Sequence, residues 1–214
     1  MFTLRSVSYI THEHIVILDK LCSVFPKDQL SWVYGSSGSG VSTALRLLAR
    51  DISPSDGELT IDYPALNLDS DCSDMTYKQC VSAYWPQLTL LDNYNLADNI
   101  ALPLHVMGAK KQDIRDKTES IMDLFDISSF AALKPRNCPR TIVAQATLAR
   151  SLIVRPKILL LDRLFCALDQ TAYTKVLTIL IQLAAHGLTI VVGDDKPPAH
   201  PSASEPINTL TLYA

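Results

Sequence analysis

The feature that most limits how this chain can fold is a change of period near residue 35. Leu30 to Tyr34 is a short apolar run of strand type, and Gly35 to Gly40 is rich in glycine and serine. From Ser42 to Arg50 the pattern turns helical, with Leu45, Leu47 and Leu48 on one repeat, and Pro54 to Gly57 supplies the stop. Strand, glycine loop and helix in direct succession open a β–α unit, and chains built from such units form a mostly parallel sheet.

The remaining pattern agrees with an α/β fold. Phe2 to Tyr9 and Ile15 to Phe25 alternate like strands across a polar break, Thr11 to His14, which predicts an N-terminal antiparallel hairpin. A strand at Glu58 to Asp62, a polar stretch from Asn67 to Asp74 and a strand at Val81 to Trp85 follow. Between Ala97 and Leu152 the sequence is mostly helical, with apolar residues every three or four positions in Ile114 to Phe125 and Ile142 to Val154, which reads as a helical insertion. Lys157 to Leu161 is an apolar strand closed by Asp162, Tyr173 to Ala185 is a helix stopped by His186-Gly187, and Leu188 to Val192 is a buried strand. Lys196 to Pro206 is proline- and serine-rich and reads as a loop before a last strand, Ile207 to Leu212.

Composition removes several classes of function. With 48% hydrophobic and 19% charged residues among 214, one sizeable core is expected. A net charge of -3 provides no electrostatic footprint for nucleic acid, so no nucleic-acid partner is expected. The five cysteines, Cys22, Cys72, Cys80, Cys138 and Cys166, lack zinc spacing and read as buried or incidental thiols of a reducing compartment. No window reaches the roughly 20 apolar residues that span a bilayer, and Met1 to Ser8 does not resemble a secretory leader. The expected location is the cytoplasm, with any membrane role acting through a partner.

Gly35, Ser36, Ser37, Gly38, Ser39, Gly40, Val41, Ser42 and Thr43 fit G-x-x-x-x-G-K-[ST] at every defined place except the lysine, which is Val41. Glycines let a backbone turn its N–H groups around phosphates, and the following helix adds its positive end. Loss of the ammonium removes a charge-assisted bond of roughly 1.5–3 kcal/mol, about tenfold to a hundredfold or more in affinity.

Taken in order, these motifs resemble those of the ABC ATPases over nearly the whole chain. Ser36 to Leu48 with Pro54-Ser55-Asp56-Gly57-Glu58 is similar to the family's loop, helix and turn. Leu148-Ala149-Arg150-Ser151-Leu152, Pro156, Ile158 to Asp162 and Ala167-Leu168-Asp169 resemble the run from the signature helix through Walker B to the D-loop. Asp98 to Leu104 is similar to a stretch of the bacterial lipoprotein-releasing, cell-division and phospholipid-trafficking ATPases. The resemblance implies a P-loop NTPase of ABC type, with a mostly parallel core sheet, an N-terminal antiparallel β portion and a helical subdomain. It implies one ATP-binding domain over 1–214, with its core in 1–87 and 156–214 and its helical subdomain in 88–155. It also implies nucleotide contacts at the Gly35 to Thr43 loop and at Gln87, or Pro86 one place earlier, and Mg²⁺ at Ser42 and Asp162.

Four expected functional groups are absent. The signature falls on Cys138-Pro139-Arg140-Thr141-Ile142, which has neither its serine nor its glycines. Arg163 stands where the catalytic glutamate is expected, and a guanidinium cannot accept a proton from water. Asp194 falls at or near the switch histidine, and Val41 replaces the lysine. Arg163 has two expected uses, binding phosphate oxygens or pairing with Asp162 in an empty site, and the second is favoured. For adenine stacking the candidates are Tyr9, His12 and His14, although aromatic residues near strand ends more often pack in cores.

The expected function is therefore the ATP-binding subunit of an ABC transporter, catalytically impaired or a pseudo-ATPase, binding Mg-ATP weakly or not at all. Its expected partners are permease subunits at the inner face of the membrane, contacted through Gln87 to Met107, and a second ATP-binding subunit, identical or an intact paralogue. Lipid or lipoprotein is the suggested cargo. The alternatives are an active ATPase with substituted machinery and an independent small-molecule kinase.

Overall fold

The computed structural model describes residues 1–63, 74–87, 90–199 and 207–213. Cys72, most of the polar stretch Asn67 to Asp74, Leu88 and most of the segment from Lys196 to Pro206 thus lie outside the described residues. Two compact units divide the chain, the first comprising Met1–Ala83, Lys157–Arg163 and Leu180–Ala214, the second Tyr84–Pro156 and Leu164–Ile179.

The first unit contains an antiparallel sheet in the order β2-β1-β4, from β1 (Phe2–Ile10), β2 (Val16–Phe25) and β4 (Asp56–Ile61). Thr11 N–H donates to Ile15 O across the hairpin connection expected there. In β1 the alternation of Phe2 and Leu4 jumps by one to Val7, because Ser6 adopts φ 49° and the register shifts between Leu4 and Val7. A one-residue bulge restores the inward face for Val7 after the slip.

The second sheet is ordered β5-β6-β7-β3-β8, from β3 (Leu30–Tyr34), β5 (Val81–Tyr84), β6 (Ile158–Asp162), β7 (Thr189–Asp194) and β8 (Asn208–Thr211). The pairs β6–β7, β7–β3 and β3–β8 are parallel. Every residue of β6 and β7 is buried, which explains their continuous apolar sequences: both faces of a parallel strand are covered. Helix α1 (Val41–Leu48) buries Ala44, Leu45, Leu47 and Leu48, each leucine contributing about 1.5–3 kcal/mol of transfer free energy.

Helix α2 (Asp74–Cys80) lies just before β5, where the sequence showed no helical periodicity. Its anchor is Tyr77, fully buried, with its hydroxyl donating to Leu48 O and Arg50 stacked over its ring. Lys78 adds an ion pair with Asp51, and long-range anchors of this kind leave no periodic signal.

In the second unit, α3 (Leu96–Val106), α4 (Lys111–Leu124) and α5 (Arg140–Leu152) occupy the stretch read as helical. In α5 the six successive residues Ala144 to Ala149 and Leu152 are buried, so the helix is covered all round there, and Gln145 donates to Phe125 O. Helix α6 (Gln170–Ala185) begins after Asp169, whose Oδ1 accepts from Ala172 N–H as a capping residue.

The four described cysteines form no disulfide with one another, and none is buried: Cys22 and Cys166 are exposed, Cys80 and Cys138 half-buried. Of the two expected readings, buried or incidental thiols, the first is corrected for these four. Among the described residues, no helix is long and apolar enough to cross a membrane.

Candidate functional site

The glycine loop leaves the end of β3 and enters α1. Gly35 N–H donates to Asp194 O at 3.3 Å, tying the start of the loop to the end of β7. Ser39 N–H closes a turn on Ser36 O at 3.0 Å. Gly40, the residue before α1, holds φ 88°, and a Cβ there would lie 2.5 Å from Leu18 Cδ2 and 3.0 Å from Ile17 O. Only glycine meets both demands. Ser36, Ser37 and Gly38 are exposed, whereas Ser39 and Gly40 are buried.

Ser39 is 3% exposed, and its Oγ has no hydrogen-bond partner. A buried hydroxyl left unsatisfied costs about 1–3 kcal/mol, so one retained in a glycine loop points to an external partner. The first N–H groups of α1, from Val41, Ser42 and Thr43, have no acceptor within the helix and carry its positive pole. Together they suit an anion, and the loop passes the test for a phosphate group.

Ser42 Oγ donates to Asp162 Oδ1 at 3.0 Å, joining α1 to the end of β6. Asp162 is 3% exposed, and burial pushes its carboxyl above the usual carboxylate range. The Ser42 bond and the charges of Arg163 and Arg46 oppose that shift, while Asp194 reinforces it. A hydroxyl and a carboxylate side by side are the oxygen donors that Mg²⁺ takes alongside phosphate. These two residues therefore fit the ion.

Val41 does not extend into the loop as a lysine would. It is 5% exposed, and a Cβ on Gly193 would lie 2.7 Å from Val41 Cγ1 and 2.6 Å from Leu45 Cδ1. The valine is thus packed against β7 where that strand has no side chain, a use of strand glycine for close approach.

Arg163 follows Asp162 with φ 51°, and its N–H donates to Gly193 O at 2.7 Å. Its Nη2 pairs with Asp195 Oδ1 at 3.1 Å. The expected pairing with Asp162 is corrected by this contact: the left-handed backbone and the Gly193 bond present the guanidinium to the turn after β7. That turn is fixed by Asp195 N–H donating to Asp194 Oδ1 at 2.7 Å and by Trp32 Nε1 donating to Lys196 O at 2.9 Å. Arg163 Nε is buried without a hydrogen-bond partner. The strand β7 runs to Asp194, two residues beyond the expected end, so Asp194 is 6% exposed at the strand terminus.

The other sequence candidates belong to different surroundings. Gln87 is exposed in a turn after β5, in the second unit, with Pro86 also exposed. Cys138 to Ile142 straddle the start of α5: Pro139 precedes the helix without a side-chain cap, and Thr141 Oγ1 donates to Ala167 O at 3.3 Å. His12 and His14 are exposed in the hairpin, and Tyr9 is half-buried in β1. Sequence reasoning placed Gly193-Asp194-Asp195 at the switch position but missed that Gly193 receives Val41 and that Asp195 pairs with Arg163. A glycine ending an apolar run was the available signal for the first; nothing local pointed to the second, 32 positions from its partner.

The sequence model of the family described as "ABC transporter" matches residues 18–164. The chain belongs to that family. Among ABC relatives, the methionine import ATP-binding protein MetN of Francisella tularensis subsp. holarctica is 28% identical over 178 residues, 83% of this chain and 51% of that protein. MetN of Chromohalobacter salexigens is 30% identical over 168 residues, 78% of this chain and 48% of its own length. The chain spans about half the length of these curated relatives. Among solved structures, the ATP-binding cassette MJ0796, a dimer bound to ADP and phosphate, matches with a TM-score of 0.79 and 24% identity over 92% of this chain and 88% of that one. CbiO1 of Clostridium perfringens, part of the ABC transporter complex cbiONQ, matches with a TM-score of 0.78 and 17% identity over 91% of this chain and 78% of that one. These ABC cassettes share the fold described above.

Proposed function

We propose that this chain is the ATP-binding subunit of an ABC transporter in which the site formed by its own loop holds Mg-ATP weakly and turns it over negligibly. The observation that carries the reading is Arg163, placed directly after the buried Asp162 and salt-bridged to Asp195. A guanidinium there accepts no proton, and the neighbouring acids are engaged, Asp195 by Arg163 and Asp194 by the Asp195 N–H. Phosphate binding is supported by the Ser39 hydroxyl, the glycine loop and the first turn of α1. Ser42 and Asp162 would hold Mg²⁺, which supplies charge neutralisation to the phosphates when bound.

In this reading residues 1–214 form one ATP-binding domain, as the resemblance implies. Pro139 and Arg140, in place of a serine and a glycine, weaken the clamp on a nucleotide held by another subunit; the partner is a second copy or, where ATP is to be hydrolysed, an intact paralogue. The dimeric MJ0796 cassette and the cbiONQ complex support a second ATP-binding subunit and membrane permease partners, which would hold the chain at the inner face of the membrane. Lipid or lipoprotein cargo follows the Asp98 to Leu104 resemblance; amino-acid import is the second reading, favoured by the MetN relatives.

Titration calorimetry of the purified chain with Mg-ATP tests the binding step. Heat saturating at one nucleotide per chain is expected, weakened by Ser39→Ala. A folded chain that takes up no nucleotide contradicts the reading.

A further inference from the structure

We infer that Arg163 is the cation that grips the terminal phosphate of a nucleotide bound in the Gly35–Gly40 loop, and that its ion pair with Asp195 is the resting position it leaves to do so. The inference rests on the nucleotide-binding reading above and assigns the group that substitutes for the absent lysine.

Four observations converge on it. The lysine position is closed to any cation, because Val41 is packed against Gly193. Arg163 is attached to the same glycine through its own N–H, so Gly193 is shared by the Val41 side chain and the Arg163 backbone. It also follows Asp162 directly in the chain, and Asp162 accepts a bond from Ser42 in the first turn of α1. Finally, the guanidinium is incompletely used: Nη2 meets Asp195, while Nε is buried with no partner.

The Asp195 contact has the character of a releasable hold. Both side chains are over a third exposed, at 35% and 40%, and water screens an ion pair so exposed until it holds only weakly. A phosphate offers more charge and two oxygens at the spacing of a guanidinium fork, so exchange of carboxylate for phosphate is favourable. The left-handed backbone of Arg163, φ 51°, is a strained setting for a non-glycine residue. Strain retained beside a phosphate loop is consistent with a positioned ligand-binding side chain.

The test is titration calorimetry with Mg-ATP and Mg-ADP on the parent, Arg163→Ala, Arg163→Lys and Asp195→Asn. ATP affinity should fall about tenfold or more in Arg163→Ala, with a smaller loss for ADP, which lacks the terminal phosphate. Arg163→Lys should retain part of the difference, and Asp195→Asn should tighten ATP binding by removing the competitor. Equal loss of ATP and ADP, or unchanged ATP affinity with a lower melting temperature, overturns the inference and leaves nucleotide binding standing. A folded parent that binds neither nucleotide overturns both readings. Should Arg163→Ala fail to fold, the Lys and Asn variants decide by the same ATP-to-ADP ratio: no change in either overturns the assignment.

Discussion

The Asp162 carboxylate, 3% exposed and accepting a bond from Ser42, sits where charge is costly in the folded chain. Burial is the largest influence and raises its pKa, so the folded state holds the proton more tightly than the unfolded one. The sign follows by linkage: the favourable contribution is complete below the unfolded value of about 3.9 and is lost as pH rises through the folded value. Near neutral pH the buried charge therefore costs stability. Asp162→Asn keeps an oxygen for Ser42 and removes that charge, so its melting temperature should exceed the parent's at pH 7, with the gap closing on acidification toward pH 4. A variant that melts lower at pH 7 would show that attraction to Arg163 and Arg46 outweighs burial. The same residue illustrates what the sequence could and could not reveal. An aspartate closing an apolar strand was readable, and the resemblance grouped it with Ser42 as a Mg²⁺ ligand, whereas their direct hydrogen bond was not foreseen. The partner of Arg163 was not, because β6 and the turn after β7 meet only through sheet pairing.

Among elements, the loop before α3 is governed by one side chain. Asn99 is fully buried; its Oδ1 accepts from Leu91 N–H at 2.6 Å, and its Nδ2 donates to Leu91 O, Tyr94 O and Asn95 O. Asn95 caps the helix in turn by accepting from Asp98 N–H at 2.7 Å. Asn99→Ala leaves several backbone groups unsatisfied and should cost about 2 kcal/mol, lowering the melting temperature by roughly 4–8 °C. Limited proteolysis should open the segment around Leu91 to Tyr94 first; an unchanged melting temperature contradicts this account. Elements with dense periodic burial were the legible ones: β3 spans the residues expected, and α1 differs from expectation by a residue or two at each end. Helix α2 was not legible, because it is secured by the Tyr77–Leu48 contact rather than by pattern.

At the scale of the whole molecule, ABC family membership and the P-loop fold agree with a sequence that keeps its fold-forming residues while altering those expected to drive chemistry. Gly40, Leu45 and Gly193 are constrained by close packing whatever the site does, and Val41 packs with them, whereas Arg163 and Asp194 stand where the resemblance expects a glutamate and a histidine. This separation is why the fold was readable from sequence and the chemistry was readable mainly as departures. Phosphoryl transfer depends on positioning and on charge placed before the reaction, so the losses at the phosphate cation, the water-activating acid and the γ-phosphate donor should compound. The most direct test of the central claim is the rate of phosphate release by the purified chain at a Mg-ATP concentration that calorimetry shows to fill the site. The account predicts release indistinguishable from that of buffer, whereas sustained turnover of about 1–100 s⁻¹, the range of working phosphoryl-transfer enzymes, would contradict it.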